Sequence, residues 1–514
     1  MSFQVSNLSS GNFVATNLLT TSGNISAVAA TSNEVYYTYN YGSSWSLSTP
    51  PSGFSSNYTM SASVLYPTTS SSLLNGVIVS NSGNGIWYTE NHGNVWSGAQ
   101  SSGSALTGYK FTSLSMSSTG EYGIAGCSSN GGIWYTTDYG YKWTQEKSGN
   151  SFNSVSMSSS GVYALAGGTG IWYSNNNGSG WSQFVTSGTY NSVAIAYSMT
   201  STSYQYGIGG SSAGLYCSSN VTSSSTWIHV ITSGSFNSVA ISSTGQSAVA
   251  GSSAGLYYAS SNVTSSTSWT LVVLSNGTSS DSFSFSSVSM DTTGQYIVAG
   301  SSNGGGIWYT GDYGSSWTQQ YSGNNFNSLS VSSDGYAIAG SDSNEGVYYT
   351  SAPLCYEKNV EILCLINNVE TYIKICEIEI GMLVKTYKQG YKKVINTKKF
   401  NYKTINKNNE LECLYKMKDC SNIILTGGHS VLEDELIEKQ KNNKFNFYEK
   451  IEDKYLILTC FSDKFEKITE DNEYELCHIV LENENKNEHY GIYITNNVLS
   501  ESCSEYEFNK KFIQ

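Results

Sequence analysis

Thr136-Thr-Asp-Tyr-Gly-Tyr-Lys-Trp143 and Thr310-Gly-Asp-Tyr-Gly-Ser-Ser-Trp317 share one form, Ser/Thr-x-Asp-x-Gly-x-x-Trp. Thr38–Trp45, Thr89–Trp96 and Ser174–Trp181 keep it with Asn in the Asp place. The chemistry of the form is that of a hairpin turn. The Asp or Asn oxygen accepts turn N–H groups, Gly supplies unusual dihedrals, and Trp packs beneath. Ahead of the first turn stand Tyr109-Lys-Phe-Thr-Ser-Leu-Ser-Met116, Tyr122-Gly-Ile-Ala-Gly126 and Gly132-Ile-Trp-Tyr-Thr136. The same order recurs at Phe326–Val331, Tyr336–Gly340 and Gly346–Thr350.

The aromatic third segment occurs eight times, centred on Tyr37, Trp87, Trp134, Trp172, Tyr216, Tyr257, Trp308 and Tyr348. The closing Trp occurs seven times, at Trp45, Trp96, Trp143, Trp181, Trp227, Trp269 and Trp317, with spacings of 38 to 51 residues. Each unit reads as four short strands with one face inward. Units of this length and strand count predict a β-propeller of eight blades, with seven as the runner-up and a parallel β-helix as a third arrangement. The eighth unit lacks its Trp-bearing strand, and Ser2-Phe-Gln-Val-Ser-Asn7 precedes the first unit. That stretch is expected to complete the last blade and lock the ring.

The turn motif resembles the Asp-box of sialidase-like and Vps10-like propellers. Sialidases clamp a substrate carboxylate with three Arg, and all 25 basic residues here are Lys, so the resemblance implies fold and not sialidase activity. The eleven Trp and many Tyr offer either a glycan-stacking surface or core aromatics, and their periodic placement favours core. A protein- or glycan-binding propeller is the expected role of this part. A propeller hydrolase would need charged groups gathered at the axis, and residues 1–350 hold only three Lys: Lys110, Lys142 and Lys147.

At Ser351-Ala-Pro-Leu-Cys-Tyr356 the grammar changes to Lys, Glu and Asn with eight Cys and no Trp. The seam divides the chain into residues 1–350, a linker 351–354 and a second domain 355–514. In the second domain stand Cys355, Val360–Leu363, Thr371–Ile375, Ile380-Gly-Met-Leu-Val-Lys-Thr-Tyr387, Thr426-Gly-Gly-His429 and His489–Cys503. These elements in this order resemble the Hint module of hedgehog autoprocessing domains and inteins, in versions found in large DNA viruses of protists. The resemblance implies a compact all-β fold and a single-turnover N-to-S acyl shift at Leu354-Cys355. Cys355 would be the nucleophile, Thr426 would orient the peptide or hold developing charge, and His429 would protonate the leaving nitrogen. Pro353 restricts the backbone ahead of the bond. His489 and Cys503 are secondary candidates, matching the intein His and the hedgehog Ser-Cys-Tyr ending. The end Val498-Leu-Ser-Glu-Ser502 predicts cleavage without splicing, and water, a small thiol or a protein amine would accept the acyl group. The alternative is a degenerate module beside a non-catalytic binding propeller.

His478, in Leu476-Cys-His-Ile, reads first as a packed strand residue, with a site residue as the alternative. Cys364, Cys376, Cys413, Cys420, Cys460 and Cys477 lack paired Cys-x-x-Cys spacing, so buried thiols are expected and no metal or other cofactor. A net charge of -13 without basic clusters speaks against nucleic acid. No run of eighteen apolar residues predicts a membrane span. Met1-Ser-Phe-Gln-Val-Ser-Asn does not read as a signal peptide, so Asn220 and Asn262 in Asn-Val-Thr are expected bare. The expected location is non-secreted, in host cytoplasm or a virion.

Overall fold

The computed structural model describes residues 2–6, 8, 13–21, 24–31, 34–38, 45–48, 60–67, 74–91, 93–196, 205–274, 277–332, 335, 337–341, 346–351, 355–404, 413–436, 450–470, 472–483 and 490–502. It divides into two compact units, Val5–Tyr349 and Met1–Gln4 with Thr350–Gln514.

In the first unit Phe111–Met116, Gly123–Cys127, Ile133–Thr136 and Thr144–Glu146 form one antiparallel sheet, each strand beside the next. Among the described residues five more sheets have four strands and one has six, and Gln100–Ser101 with Ser104–Ala105 forms a small two-stranded sheet beside them. The six-stranded sheet arises where spacing between closing Trp residues is shortest, 38 residues from Trp143 to Trp181. There Ala164–Ser174 and Ser182–Ile195 run on through what are two strands elsewhere, so the fourth and fifth sequence units share one ladder. The architecture is a β-propeller of seven sheets carrying eight sequence units. The expectation of eight separate blades is corrected to its runner-up by that merger.

The first strands of the units, such as Phe152–Met157, are joined by serine hydroxyls across the gap between units. Val155 N–H donates to Ser113 Oγ at 3.0 Å and Met157 N–H to Ser115 Oγ at 2.9 Å. Val193 repeats this with Ser154, Val239 with Ser192, Val288 with Ser238 and Val331 with Ser289. Strand edges bear unpaired N–H groups that cost free energy if dry, and the serine of the recurrent Phe/Tyr-x-Ser motif, or the serine two residues on, satisfies them. The ring closes when Thr16 N–H donates to Ser328 Oγ at 2.7 Å. Ser6 N–H donates to Val347 O and Val347 N–H to Leu8 O, so the N-terminal stretch docks on the last strand. Removing three hydroxyls together (Ser113→Ala, Ser192→Ala, Ser289→Ala), which share no partner, is expected to cost about 3 kcal/mol, about 1 kcal/mol each. Thermal unfolding reads this as a fall in Tm, and an unchanged Tm would remove the serines from the account of ring closure.

The turn motif has the expected geometry. Thr136 Oγ1 donates to Asp138 Oδ1, and Asp138 Oδ1 accepts from Lys142 N–H at 2.8 Å. Trp143 Nε1 donates to Gly140 O at 2.8 Å, and the indole is buried. The Asn version at Ser174–Trp181 repeats two of these bonds, Ser174 Oγ to Asn176 Oδ1 and Trp181 Nε1 to Gly178 O. In Thr310–Trp317, burial of Asp312 opposes ionisation, but hydrogen bonds from Ser316, Thr310 and Ser315 outweigh it and hold the carboxyl below its ordinary value. Gly314 lies at φ +74°, and a Cβ there would stand 2.3 Å from the Tyr258 ring of the preceding unit. Glycine serves turn and unit contact at once. Residues 39–44 of the Thr38–Trp45 copy lie outside the described residues.

The third-strand aromatics pack on the first-strand aromatic of their own unit: Trp134 on Phe111, Trp308 on Phe285 and Tyr348 on Phe326, with ring centroids 6.1, 5.6 and 5.0 Å apart. They are core residues. Val221 and Val263, central in the two Asn-Val-Thr stretches, are fully buried in the corresponding turns.

The second unit is an all-β sheet domain. Gly390–Lys403 is its longest strand. It pairs near its start with Leu383–Thr386 and over its later part with Glu473–Leu481, with a register shift between Val394 and Asn396. The core gathers Val360, Ile362, Val384, Ile423, Leu425, Ile479 and Ile492 among others. Tyr356–Glu357 is a two-residue strand inserted between Cys420–Thr426 and Glu473–Leu481.

Candidate active site

Register builds the site. Tyr356 stands opposite Leu425 on one side and Cys477 on the other, both antiparallel. The residue before Tyr356 therefore meets the residue after Leu425 and the residue after Cys477. Those three are Cys355, Thr426 and His478.

Cys355 Sγ lies 3.0 Å from His478 Nε2, with both side chains buried. Cys355 N–H donates to Thr426 Oγ1 at 3.0 Å, and Thr426 N–H returns a bond to Cys355 O at 3.1 Å. Leu414 and Leu476 complete the apolar wall, with Tyr402, Ile424, Ile468 and Tyr474 packed around it. A thiol beside an imidazole nitrogen is the arrangement of an activated nucleophile. The amide nitrogen held by Thr426 is the one that joins Cys355 to Leu354. The neighbouring thiols are unsuited to substitute. Burial, with Cys376 and Glu475 adding, pushes Cys477 up to about 12, and burial pushes Cys364 up to about 11.

His429 occupies the turn after Thr426, its N–H donating to Thr426 O at 3.0 Å. Its carbonyl accepts from Thr459 N–H and Oγ1–H at 2.8 and 2.7 Å. Nε2 lies 3.0 Å from Glu501 O, and the ring meets Tyr356 edge-on at 4.2 Å. The structure thus brings Thr426 and His478 onto Cys355 and ties His429 to Glu501 and Tyr356. Leu354, Pro353, His489 and Cys503 lie outside the described residues. Among the described residues no group of three His, Cys, Asp or Glu is placed to hold a metal ion, and no helix is long and apolar enough to cross a membrane.

Sequence reasoning favoured packing for His478, because its place beside Cys355 depends on a pairing of residues more than a hundred positions apart. The available signal was a single imidazole inside the otherwise apolar run Leu476–Leu481. Glu501 was missed altogether, since one acidic residue in a polar tail carries no pattern.

Thr426→Val keeps the shape and removes the hydroxyl. In the ground state that oxygen accepts the amide N–H, and once the nitrogen becomes an amine the hydroxyl can turn and donate. Any conversion at Leu354-Cys355 is expected to slow about tenfold in a folded protein. An unchanged rate would make Thr426 a purely structural partner.

No protein-family description matches the chain, and no curated protein matches it. Its fold is similar to that of YCF48 from Cyanidioschyzon merolae, at 15% identity and a TM-score of 0.39, over 56% of this chain and 95% of that one. It is similar also to YCF48 bound to a D1 peptide, at 16% identity and a TM-score of 0.38, with the same coverage. An ancestral GH74 enzyme matches over 66% of this chain and 54% of its own, at 14% identity and a TM-score of 0.41, so this chain spans about half of that enzyme. The likeness is distant and concerns the β-propeller architecture.

Proposed function

We propose that the propeller is a non-catalytic binding module for a protein or glycan partner, and that the second unit is a Hint-like module that detaches it by self-cleavage at Leu354-Cys355. The observation that carries the second part is the 3.0 Å approach of Cys355 Sγ to His478 Nε2, beside a Thr426 hydroxyl on the Cys355 amide.

The step balances within the chain. Sγ–H passes its proton to His478 Nε2, and Sγ bonds to the Leu354 carbonyl carbon. The C–N bond to Cys355 breaks, and the proton held by His478 passes, by way of His429, to the nitrogen, which becomes a free amine. The result is a thioester, an isomer of the starting chain. Water or a small thiol then breaks the C–S bond, and the Cys355 thiol is restored.

The binding reading of the propeller is supported by the make-up of its described first strands. Its first strands, which meet around the ring, contain no Asp or Glu, whereas glycoside hydrolysis needs two carboxylates. Asp291, just past one of them, is occupied by the Tyr296 and Thr293 N–H groups.

Freshly purified chain, kept at neutral pH with a small thiol and no protease, is expected to yield residues 1–354 and 355–514. A chain that stays whole supports a second reading, in which the unit is a degenerate scaffold beside the binding propeller. The observation favouring that reading is that Cys355 and His478 are fully buried, Cys355 among apolar side chains.

A further inference from the structure

His429 is held from more directions than packing requires. A main-chain carbonyl has no hydrogen to give, so at 3.0 Å from Glu501 O the His429 Nε2 must carry the proton. The neutral ring then has its lone pair on Nδ1. Glu501 O also accepts from Tyr356 O–H at 2.5 Å. The Glu501 side chain is buried, and its Oε1 accepts from Ser430 N–H, the residue after His429, at 2.6 Å. Ser500 Oγ donates to Ser430 O at 3.0 Å, and Val431 pairs with Ser500 across the ladder. One residue therefore grips the imidazole through its carbonyl and the following peptide through its carboxylate. Tyr356, which supplies both the second donor and the ring against His429, adjoins Cys355 in the chain.

Burying a carboxylate is costly unless it is hydrogen-bonded, and a backbone amide alone would be served by a neutral side chain. A carbonyl accepting the Nε2–H of an imidazole favours the charged form of a ring that gains a proton during reaction. We propose that Glu501 is the positioning residue of His429: its carbonyl fixes the Nε2–H tautomer and its carboxylate fixes the turn, leaving Nδ1 as the proton-exchanging atom. This deepens the self-cleavage reading and rests on it for its meaning, though not for its test.

The test uses the full chain. In a Cys355→Ala background, histidine-labelled with ¹⁵N, His429 is expected to show a single Nε2–H tautomer by NMR. Glu501→Ala is expected to give mixed tautomers, and Glu501→Gln, which keeps an acceptor for Ser430, to retain the single one. With Cys355 present, Glu501→Ala is expected to slow cleavage about tenfold or more, and Glu501→Gln to restore most of the rate. Should the alanine chain fail to fold, Glu501→Asp, which retracts the carboxylate by one methylene, carries the same comparison. An Nδ1–H tautomer at His429, or a tautomer and rate indifferent to Glu501→Ala or Glu501→Asp, overturns the proposal. A wild-type chain that never cleaves sinks the self-cleavage reading instead, while the tautomer measurement still decides the role of Glu501.

Discussion

Cys355→Ala is expected to leave the chain whole under every condition in which the parent divides. The effect should be all-or-none, because the acyl group has nowhere else to go. Cys477 belongs to the apolar core, and its thiol is pushed up to about 12 by burial, so almost none is thiolate at neutral pH. Cys364 is buried in the same core. The remedy for a folding artefact is built in: Cys355 fills a small apolar niche with Leu414 and Leu476, and Ala there removes only one sulfur. Circular dichroism and the propeller's unfolding transition should match the parent. Fragments of the same size from the Ala chain would place the reaction elsewhere.

His478→Gln is the second large effect. Gln retains polar atoms near the sulfur but cannot take its proton. General-base contributions are typically about 10²–10⁴ in rate, so conversion should fall by that factor while the variant stays folded. His429→Gln separates the two imidazoles. If His478 serves the sulfur and His429 the leaving nitrogen, each variant is slow and the double variant is not slower by the product, since both act on one step. A His478→Gln chain that divides at the parental rate would return His478 to the packed strand residue that Leu476-Cys-His-Ile also suggests.

The repeats were legible because they are local. Turn, glycine and closing Trp fall within eight residues, as in Thr136–Trp143, and each satisfies its own hydrogen bonds. Strand alternation such as Phe111 to Met116 follows from the same short-range logic. The merger of the fourth and fifth units was open to the sequence only as its runner-up. It depends on whether the short link Thr186-Ser-Gly188, inside Ser182–Ile195, interrupts the ladder, and the composition of the link does not decide that. In the second unit the strand order Glu361–Ile366, Leu383–Thr386, Cys420–Thr426 and Gly491–Ile494 follows the elements read from sequence. The contents of the site follow the sequence less well. Thr426 lies one register step past Leu425 and was legible from its motif, whereas His478 reaches Cys355 only because Tyr356 inserts between two distant strands. Glu501 acts in part through a backbone carbonyl, which no side-chain pattern reports.

The central claim is that an acyl group crosses from the Cys355 nitrogen to its sulfur. Added 2-mercaptoethanesulfonate should capture that group. Intact-mass analysis of the freed propeller tests this directly: the prediction is a fragment of residues 1–354 carrying the added thiol as a thioester on Leu354. A fragment ending at any other residue, or a chain that remains at its full 514 residues throughout, would contradict it.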